Sequence, residues 1–171
     1  MIHLNIGSNL ESKFGNRFEN ISTAVNLLIK SKVQINKISN FYKTPSYPNK
    51  KLPYFLNIGL TASYKNDESQ LFKIIKLIEN KIGRNKSKKN DPRVCDIDII
   101  DFNTLVIDKN NLQIPHKKSH LRNFVLYPIL QIDSEWVHPV FKKNVKFLIN
   151  KLDHKSRIEI TRLNKNVIIN S

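Results

Sequence analysis

The sequence predicts an α+β fold with a ferredoxin-like β-α-β-β-α-β core and additional C-terminal elements. Apolar residues alternate with period two in several short segments, which predicts strands, and two longer segments show the helical period. These segments follow each other in the order of that core. Nothing repeats internally and no linker divides the 171 residues, whose hydrophobic fraction of 40% is sufficient for one core. We therefore expect residues 1–171 to form a single domain.

The first half of the predicted core contains one strand, one helix and a β-rich segment. Residues 2–6 alternate as a strand and run into the turn Gly7-Ser8-Asn9. The helical spacing of apolar residues over 14–29 predicts the first helix. Residues 33–42 are β-rich, and the three prolines of residues 44–53 indicate an ordered loop.

The second half of the core begins with the clearest strand, residues 54–64. A second helix opens at Asp67, and Gln70 three residues later is typical of a capping box. Gly83 is expected to end this helix, as glycine commonly does. A strand that contains two aspartates completes the core.

Extra elements follow the core. Residues 104–107 are expected to form a short hairpin strand, and residues 123–130 a helix in part, around Pro128. Residues 145–152 have the pattern of a last helix.

Asp96 and Asp98 in the last core strand are the most informative residues of the chain. Successive side chains of a strand point to opposite faces, so both carboxylates share one face while Cys95 and Ile97 point into a core. A rise of about 3.3 Å per residue separates them by roughly 6–7 Å, which two cations about 3.5–4 Å apart can bridge. Aspartate with Mg²⁺ usually indicates phosphate chemistry, whereas an exposed strand edge is the structural alternative.

The glycine-rich phosphate loops of nucleotide-binding proteins are absent: the chain has four glycines, and neither G-x-x-x-x-G-K-[ST] nor G-x-G-x-x-G occurs. Side chains and metal must then hold the phosphates of any nucleotide. Arg84 and Arg93 are candidates, because guanidinium groups make forked phosphate contacts. His116 precedes Arg122 by six residues and is a candidate phosphate ligand; the lysines between His116 and His120 argue against a zinc pair.

Glu79, Phe55 and Asn57 each have two interpretations. Glu79 lies in the apolar stripe of the second helix, where a carboxylate needs a partner, so a salt bridge with Lys76 and a nucleotide-site role both stay open. Phe55 and Asn57 share a strand face, and a ring beside an amide suits either a flat heterocycle or ordinary sheet packing. Phe124 could supply a second ring.

The net charge of +15 raises the possibility of nucleic-acid binding. The positive residues, however, are spread along the whole chain, and no basic run is interleaved with aromatic residues. A basic ferredoxin-like RNA-binding module is the alternative function, although no RNP1-type motif occurs. No apolar run approaches a membrane span, and a single cysteine is compatible with a reducing cytoplasm. We expect a cytoplasmic protein without membrane or nucleic-acid partners.

In chain order these segments resemble the 6-hydroxymethyl-7,8-dihydropterin pyrophosphokinase (HPPK) family, over roughly residues 2–139. The spacings P-R-x-x-D-[IL]-D-[IL] and P-H-x5-R-x-F are very specific in combination. The matching segments are Ile6-Gly7-Ser8-Asn9-Leu10, Ser39-Asn40-Phe41-Tyr42-Lys43-Thr44-Pro45, Phe55-Leu56-Asn57, Ile78-Glu79 with Gly83-Arg84, Asp91-Pro92-Arg93 through Asp96-Ile97-Asp98-Ile99, Ile114-Pro115-His116, and Arg122-Asn123-Phe124-Val125-Leu126-Tyr127-Pro128.

The resemblance implies that a monomeric enzyme of folate biosynthesis transfers the terminal pyrophosphoryl group of ATP to the pterin's hydroxymethyl oxygen and releases AMP. It assigns two Mg²⁺ ions to Asp96 and Asp98, and catalysis to these aspartates with Arg84 and Arg93. The implied ATP contacts are Lys76, Glu79, Arg84, Arg93, Ile99, His116 and Arg122. The implied pterin contacts are Thr44, Pro45, Tyr47, Phe55, Asn57, Asp96 and Phe124.

Several positions depart from the family pattern, Asn111 and Lys117 among them. Lys76 stands where a glutamine is usual, and Phe55 replaces the usual tyrosine while keeping the ring. Asn90 lies in a shortened loop where a tryptophan can occur. The tail after Val140 matches no family segment, so its role is not predicted.

Overall fold

The computed structural model describes residues 1–46, 49–83, 92–109 and 111–170. The described part is a mixed α/β structure with an antiparallel sheet. The strands are β1 (Ile2–Ser8), β2 (Gln34–Ile38), β3 (Tyr42–Thr44), β4 (Phe55–Ser63), β5 (Asp96–Phe102), β6 (Ile107–Lys109), β7 (Leu112–Ile114) and β8 (Thr161–Arg162). The helices are α1 (Arg17–Lys30), α2 (Glu68–Ile82), α3 (Asn123–Ile132), α4 (Val145–Lys151) and α5 (His154–Ile158), with a 3₁₀ turn at Ser119–Leu121.

The main sheet has the strand order β5-β1-β4-β3-β8, and β2 also pairs with β4. All of these pairs are antiparallel. The β-rich segment 33–42 contains β2, whereas β3 shares only Tyr42 with it and extends into the start of the predicted loop. Both strands pair with β4: Gln34 lies opposite Ser63, and Thr44 lies opposite Phe55. Strand β1 lies between β4 and β5, so its residues have neighbours on both strands.

Each face of the sheet packs against helices. The alternating residues of β1 and β4 fill the main core with α1 and α2, as the period-two pattern predicts. Helix α3 packs against β4 on the other face, and α3 and α4 form a second cluster around Ile100 and Trp136. Gly59 allows this close approach, because a Cβ there would lie 2.8 Å from the Cβ of Pro128.

Local side chains determine where the two long helices begin and end. The Asn16 side chain accepts hydrogen bonds at the start of α1, and the Glu19 carboxylate accepts the Asn16 N–H at 2.7 Å in return. Asp67 accepts the Gln70 N–H at 2.8 Å, which confirms Asp67 as the N-cap of α2, while the reciprocal bond of a full capping box is found in α1. Gly83 ends α2 with φ at 111°, in the left-handed region that glycine favours.

Two expectations for the C-terminal part need correction. Residues 104–107 are not a hairpin strand: Asn103 and Thr104 have positive φ in a turn, and the hairpin consists of β6 and β7 in a separate two-stranded sheet. The turn forms because the Asp101 carboxylate accepts the Thr104 N–H at 2.8 Å. The predicted helix at 145–152 is present as α4, but it is not the last element, since α5 and β8 follow.

In the part of the chain that the structure describes, no helix combines the length and apolar character that crossing a bilayer requires.

Candidate active site

The floor of the candidate site consists of residues that face each other across three neighbouring strands. Asp96 on β5 lies opposite Gly7 on β1, which in turn lies opposite Asn57 on β4. Asp98 lies opposite Asn5, two residues further along the same pair of strands. Residues directly opposite each other project from the same face, so the carboxylates and the Asn57 amide lie side by side.

A cavity of about 350 Å³ opens above this floor. Its volume is within the range of small-molecule sites, roughly 300–1,000 Å³. The N-terminus of α3 and the segment after β3 form two of its walls. The cavity is lined by Asn5, Gly7, Thr44, Pro45, Phe55, Asn57, Arg93, Asp96, Asp98, Lys118, Leu121, Arg122, Asn123, Phe124 and Ser156.

The aspartates are paired with the arginines that the sequence singled out. An Asp96 carboxylate oxygen lies 2.5 Å from Arg93 Nη1, and an Asp98 carboxylate oxygen lies 3.4 Å from Arg122 Nη1. Burial and the negative charge of Asp96 together raise the pKa of Asp98 to about 7, against the opposing effect of the Arg122 charge. Near pH 7 this carboxyl group is therefore only partly ionised, and a cation beside it would favour its charged form.

The neighbouring carboxylates of Asp96 and Asp98 suit a divalent cation. Among the described residues no group of three or more histidine, cysteine, aspartate or glutamate side chains could form an all-protein metal cage. Mg²⁺ is commonly bound by only one or two carboxylates, with substrate phosphates and waters completing its octahedron. Asp96 and Asp98 provide that donor set.

Asn9, in the turn after β1, fixes the backbone of Arg93. The Asn9 side-chain oxygen accepts the Arg93 N–H at 2.6 Å, and the Asn9 N–H donates to the Arg93 carbonyl at 3.0 Å. The Asn9 amide nitrogen also donates to Ser46 Oγ at 3.3 Å, while Ser46 Oγ donates to the Pro53 carbonyl. Asn9 thus connects Arg93, on one side of the cavity, to the loop that contains Ser46 and Pro53 on the other side.

Glu79 is buried beneath β5 and forms the salt bridge that the sequence suggested. One carboxylate oxygen accepts from Lys76 Nζ at 2.8 Å, and the other accepts the Ile97 N–H at 2.9 Å. Because Ile97 lies between the two aspartates, Glu79 supports the strand that carries them. The Ile99 side chain packs in the main core, so its main chain is the part that could reach a ligand.

His116 lies beside Arg122, with its Nε2 3.4 Å from Arg122 Nη1. Burial and the Arg122 charge lower the pKa of His116 to about 4, so the ring is neutral at pH 7. His116 Nδ1 accepts the Lys118 N–H at 3.2 Å, so a neutral ring carries its proton on Nε2. That Nε2–H then faces the Arg122 donor and would gain an acceptor if an anionic oxygen bound between the two groups. A neutral histidine in this state can donate to a phosphate oxygen.

Two aromatic rings and two side-chain amides also line the cavity. The rings of Phe55 and Phe124 both line it. The Asn57 amide nitrogen donates to Thr44 Oγ1 at 3.3 Å, which orients the amide. The Asn5 amide nitrogen donates to the Phe124 carbonyl at 2.8 Å and thereby attaches the start of α3 to the sheet.

The structure brings most of the predicted residues together, but not all. Lys76, Glu79, Ile99 and His116 lie outside the lining of the main cavity, and His116 lines a neighbouring one of about 260 Å³. Arg84 and Tyr47 lie outside the described residues.

Sequence reasoning from individual residues missed Asn5, Asn123 and Ser156, which also line the cavity. Asn5 had a usable signal, because it is a polar residue within the apolar strand β1 and becomes buried. Ser156 had none, since it lies on a short, exposed helix far along the chain.

The sequence profile described as 7,8-dihydro-6-hydroxymethylpterin-pyrophosphokinase (HPPK) matches residues 3–134. The chain belongs to the HPPK family. A protein of Aquifex aeolicus named 2-amino-4-hydroxy-6-hydroxymethyldihydropteridine pyrophosphokinase is 32% identical over 145 residues, covering 85% of this chain and 88% of that protein. The match therefore confirms the family that the sequence resembles.

Other HPPK-family relatives are longer. Folic acid synthesis protein FOL1 of Dictyostelium discoideum is 36% identical over 139 residues, which cover 81% of this chain but 20% of that protein. A crystal structure of Plasmodium falciparum HPPK-DHPS with pteroate has a TM-score of 0.72 at 16% identity, covering 94% of this chain and 47% of that chain. This structural likeness supports the fold, and the chain spans a fifth to a half of these two proteins.

Proposed function

We propose that this protein transfers the terminal pyrophosphoryl group of ATP to 6-hydroxymethyl-7,8-dihydropterin and releases AMP, as a step of folate biosynthesis. The observation that carries the proposal is the convergence of two kinds of side chain in one cavity. Two aromatic rings and an oriented amide line one part of it, and paired carboxylates with two arginines line the other. A flat heterocycle and a polyphosphate therefore find complementary groups within reach of each other.

The pterin is proposed to bind between Phe55 and Phe124. Offset ring stacking contributes about 0.5–1.5 kcal/mol beyond the area buried. Asn57 would hydrogen-bond the polar edge of the heterocycle, since its amide is buried and already oriented by Thr44. Pro45 lines the same wall. Tyr47 remains a predicted contact.

The triphosphate is proposed to bind over β5. Asp96 and Asp98 would hold Mg²⁺, with two ions expected, and the bound metal would neutralise phosphate charge as it develops. Arg93 and Arg122 line this part of the cavity and can exchange their aspartate contacts for phosphate oxygens. His116 would donate through Nε2. Lys76, Glu79, Ile99 and Arg84 remain predicted nucleotide contacts.

In the proposed reaction the hydroxymethyl oxygen of the pterin attacks the β-phosphorus of ATP. A new oxygen–phosphorus bond forms, the bond from that phosphorus to the oxygen bridging to the α-phosphorus breaks, and AMP leaves with the electron pair. The hydroxyl proton passes to solvent. Holding both substrates in one cavity could by itself lower the barrier by up to about 7–11 kcal/mol.

The strand order further supports a ferredoxin-like core for β1 to β5, and we propose that residues 1–171 act as one monomeric domain. An RNA-binding module would need an open sheet surface on which bases stack. Helices pack on both faces of this sheet, with α3 against β4, which favours the small-molecule function.

The test is chromatographic detection of AMP formed from ATP and Mg²⁺, with and without 6-hydroxymethyl-7,8-dihydropterin. We expect AMP only when the pterin is present, and wild-type protein that forms none under these conditions would refute the function. Asp98→Asn should abolish turnover. Asp67→Asn is the matched control, because it removes a carboxylate remote from the cavity and asparagine also caps helices well. Near-normal turnover of Asp98→Asn would contradict the metal assignment alone.

A further inference from the structure

The C-terminal segment after α4 lies beyond the region that the family profile matches, yet it reaches the cavity. Ser156, in α5, lines it beside Asn123 and Phe124. We propose that α5 is a positioning element for the pterin half of the site, with Asp153 as the residue that sets its orientation. The inference rests on the proposed function and adds a role for a segment to which the sequence assigned none.

Asn123 connects α5 to Phe124, whose ring lines the cavity. Its side-chain nitrogen donates to the Ser156 carbonyl at 2.6 Å, and its side-chain oxygen accepts the Phe124 N–H at 2.7 Å. Asn123 is buried, so the loss of either partner would leave a polar group unsatisfied. The position of the Ser156 carbonyl therefore determines how the Asn123 side-chain amide is oriented. That amide in turn orients Phe124 through the Phe124 N–H.

Asp153 determines the position of Ser156. One Asp153 carboxylate oxygen accepts the Ser156 N–H and the other accepts the Ser156 hydroxyl, both at 2.8 Å. Helix α5 has five residues, far fewer than an isolated helix needs for stability in water. Its geometry must come from this cap and from its contacts with the rest of the protein.

The segment after α5 is attached to the opposite wall of the cavity. Glu159 forms an ion pair with Lys50, in the loop that follows Pro45. Strand β8 then pairs with β3, and the Leu163 N–H donates to the Phe41 carbonyl at 2.8 Å. The chain from Asp153 onward thus connects α3, which carries Phe124, to β3, the strand that leads to Pro45 on the opposite side of the cavity.

The test compares three variants by calorimetric binding of 6-hydroxymethyl-7,8-dihydropterin and of ATP. Asp153→Ala removes the cap and should weaken pterin binding by about 3- to 10-fold, the range that corresponds to a typical cap, while ATP binding changes less than twofold. Asp153→Asn should bind pterin like the wild type, because asparagine caps equally well. Asn144→Ala is the matched control: it removes the corresponding cap of α4, which does not line the cavity, and should leave pterin binding unchanged.

A second readout separates this inference from the proposed function. Amide hydrogen exchange of Phe124, measured without any ligand, should be faster in Asp153→Ala than in Asn144→Ala or Asp153→Asn. If Asp153→Ala matches Asn144→Ala in both Phe124 exchange and pterin affinity, α5 has no positioning role. If the wild-type protein binds no pterin, the proposed function fails, and the exchange comparison still decides whether α5 orients Phe124.

Discussion

Replacing Gly7 with alanine tests whether the pterin binds at the floor of the cavity beside Asn57. Gly7 lies between Asp96 and Asn57 on neighbouring strands. Its φ is not in the left-handed region, so an alanine backbone fits. The added Cβ, however, would lie 2.7 Å from the side-chain oxygen of Asn57. Ordinary contacts to a Cβ begin at 3.4 Å, so the amide must shift by roughly 0.7 Å.

The expected effects on stability and binding differ in size. The Asn57–Thr44 hydrogen bond is already 3.3 Å long and should be lost, at a cost of about 1 kcal/mol. Gly→Ala recovers about 0.4–1 kcal/mol by restricting the unfolded chain, so the net stability of Gly7→Ala should change by less than about 1 kcal/mol. A displaced amide that no longer matches the heterocycle edge should weaken pterin binding by roughly 10- to 100-fold, or about 1.4–2.7 kcal/mol.

Calorimetric titration with pterin and ATP, together with thermal unfolding, measures both quantities. Gly59→Ala is the control on β4: its Cβ would lie 2.8 Å from the Pro128 Cβ and 3.3 Å from the Pro128 backbone. Overpacking against a helix backbone should cost about 1–3 kcal/mol, or about 3–10 °C in melting temperature. Wild-type pterin affinity in Gly7→Ala would refute the placement of the pterin edge at Asn57.

Three further predictions concern residues below and beside the floor. Glu79→Gln should lower the free energy of unfolding, measured by urea titration, by about 1–2 kcal/mol. The buried Glu79 side chain would keep an oxygen for the Ile97 N–H but lose its charged bond with the half-exposed Lys76. Unchanged stability would mean that the Lys76–Glu79 ion pair does not support β5. His138 is buried and its pKa is lowered to about 4, so the unfolded chain takes up its proton near pH 6.5 before the folded protein does. Stability should therefore fall as the pH drops from 6.5 to 4, by at most about 3 kcal/mol from this residue, and His138→Gln should flatten that slope; an equally steep slope in the variant would contradict the assignment. Phe124→Ala should weaken pterin binding far more than ATP binding, and equal losses of both would count against the aromatic sandwich.

Much of the site was predictable because strand alternation is a local geometric rule. Asp96 and Asp98 had to share a face wherever β5 lay, and Glu79 had to meet a partner once α2 buried it. The motif spacings of the HPPK family then implied which distant segments belong together. Both kinds of inference use only residues close in sequence or a known order of segments.

Other features depend on strand pairing, which involves residues far apart in the chain. Residues 34–38 and 42–44 form two separate strands because each pairs with a different part of β4, a division that the single β-rich segment at 33–42 did not indicate. Asn5 and Gly7 became part of the floor only because β1 pairs with β5 in that register, and a slip of one residue would turn both away.

The chain's own residue order determined its two long helices with their caps, the alternation of the aspartate strand and the family to which it belongs, because each depends on neighbours within a few residues or on motif spacing. Tertiary structure alone decided that a glycine separates Asp96 from the Asn57 amide, and that Ser156 reaches the wall formed by α3. Such contacts join segments 33 to about 90 positions apart, and their formation depends on packing that no local pattern encodes.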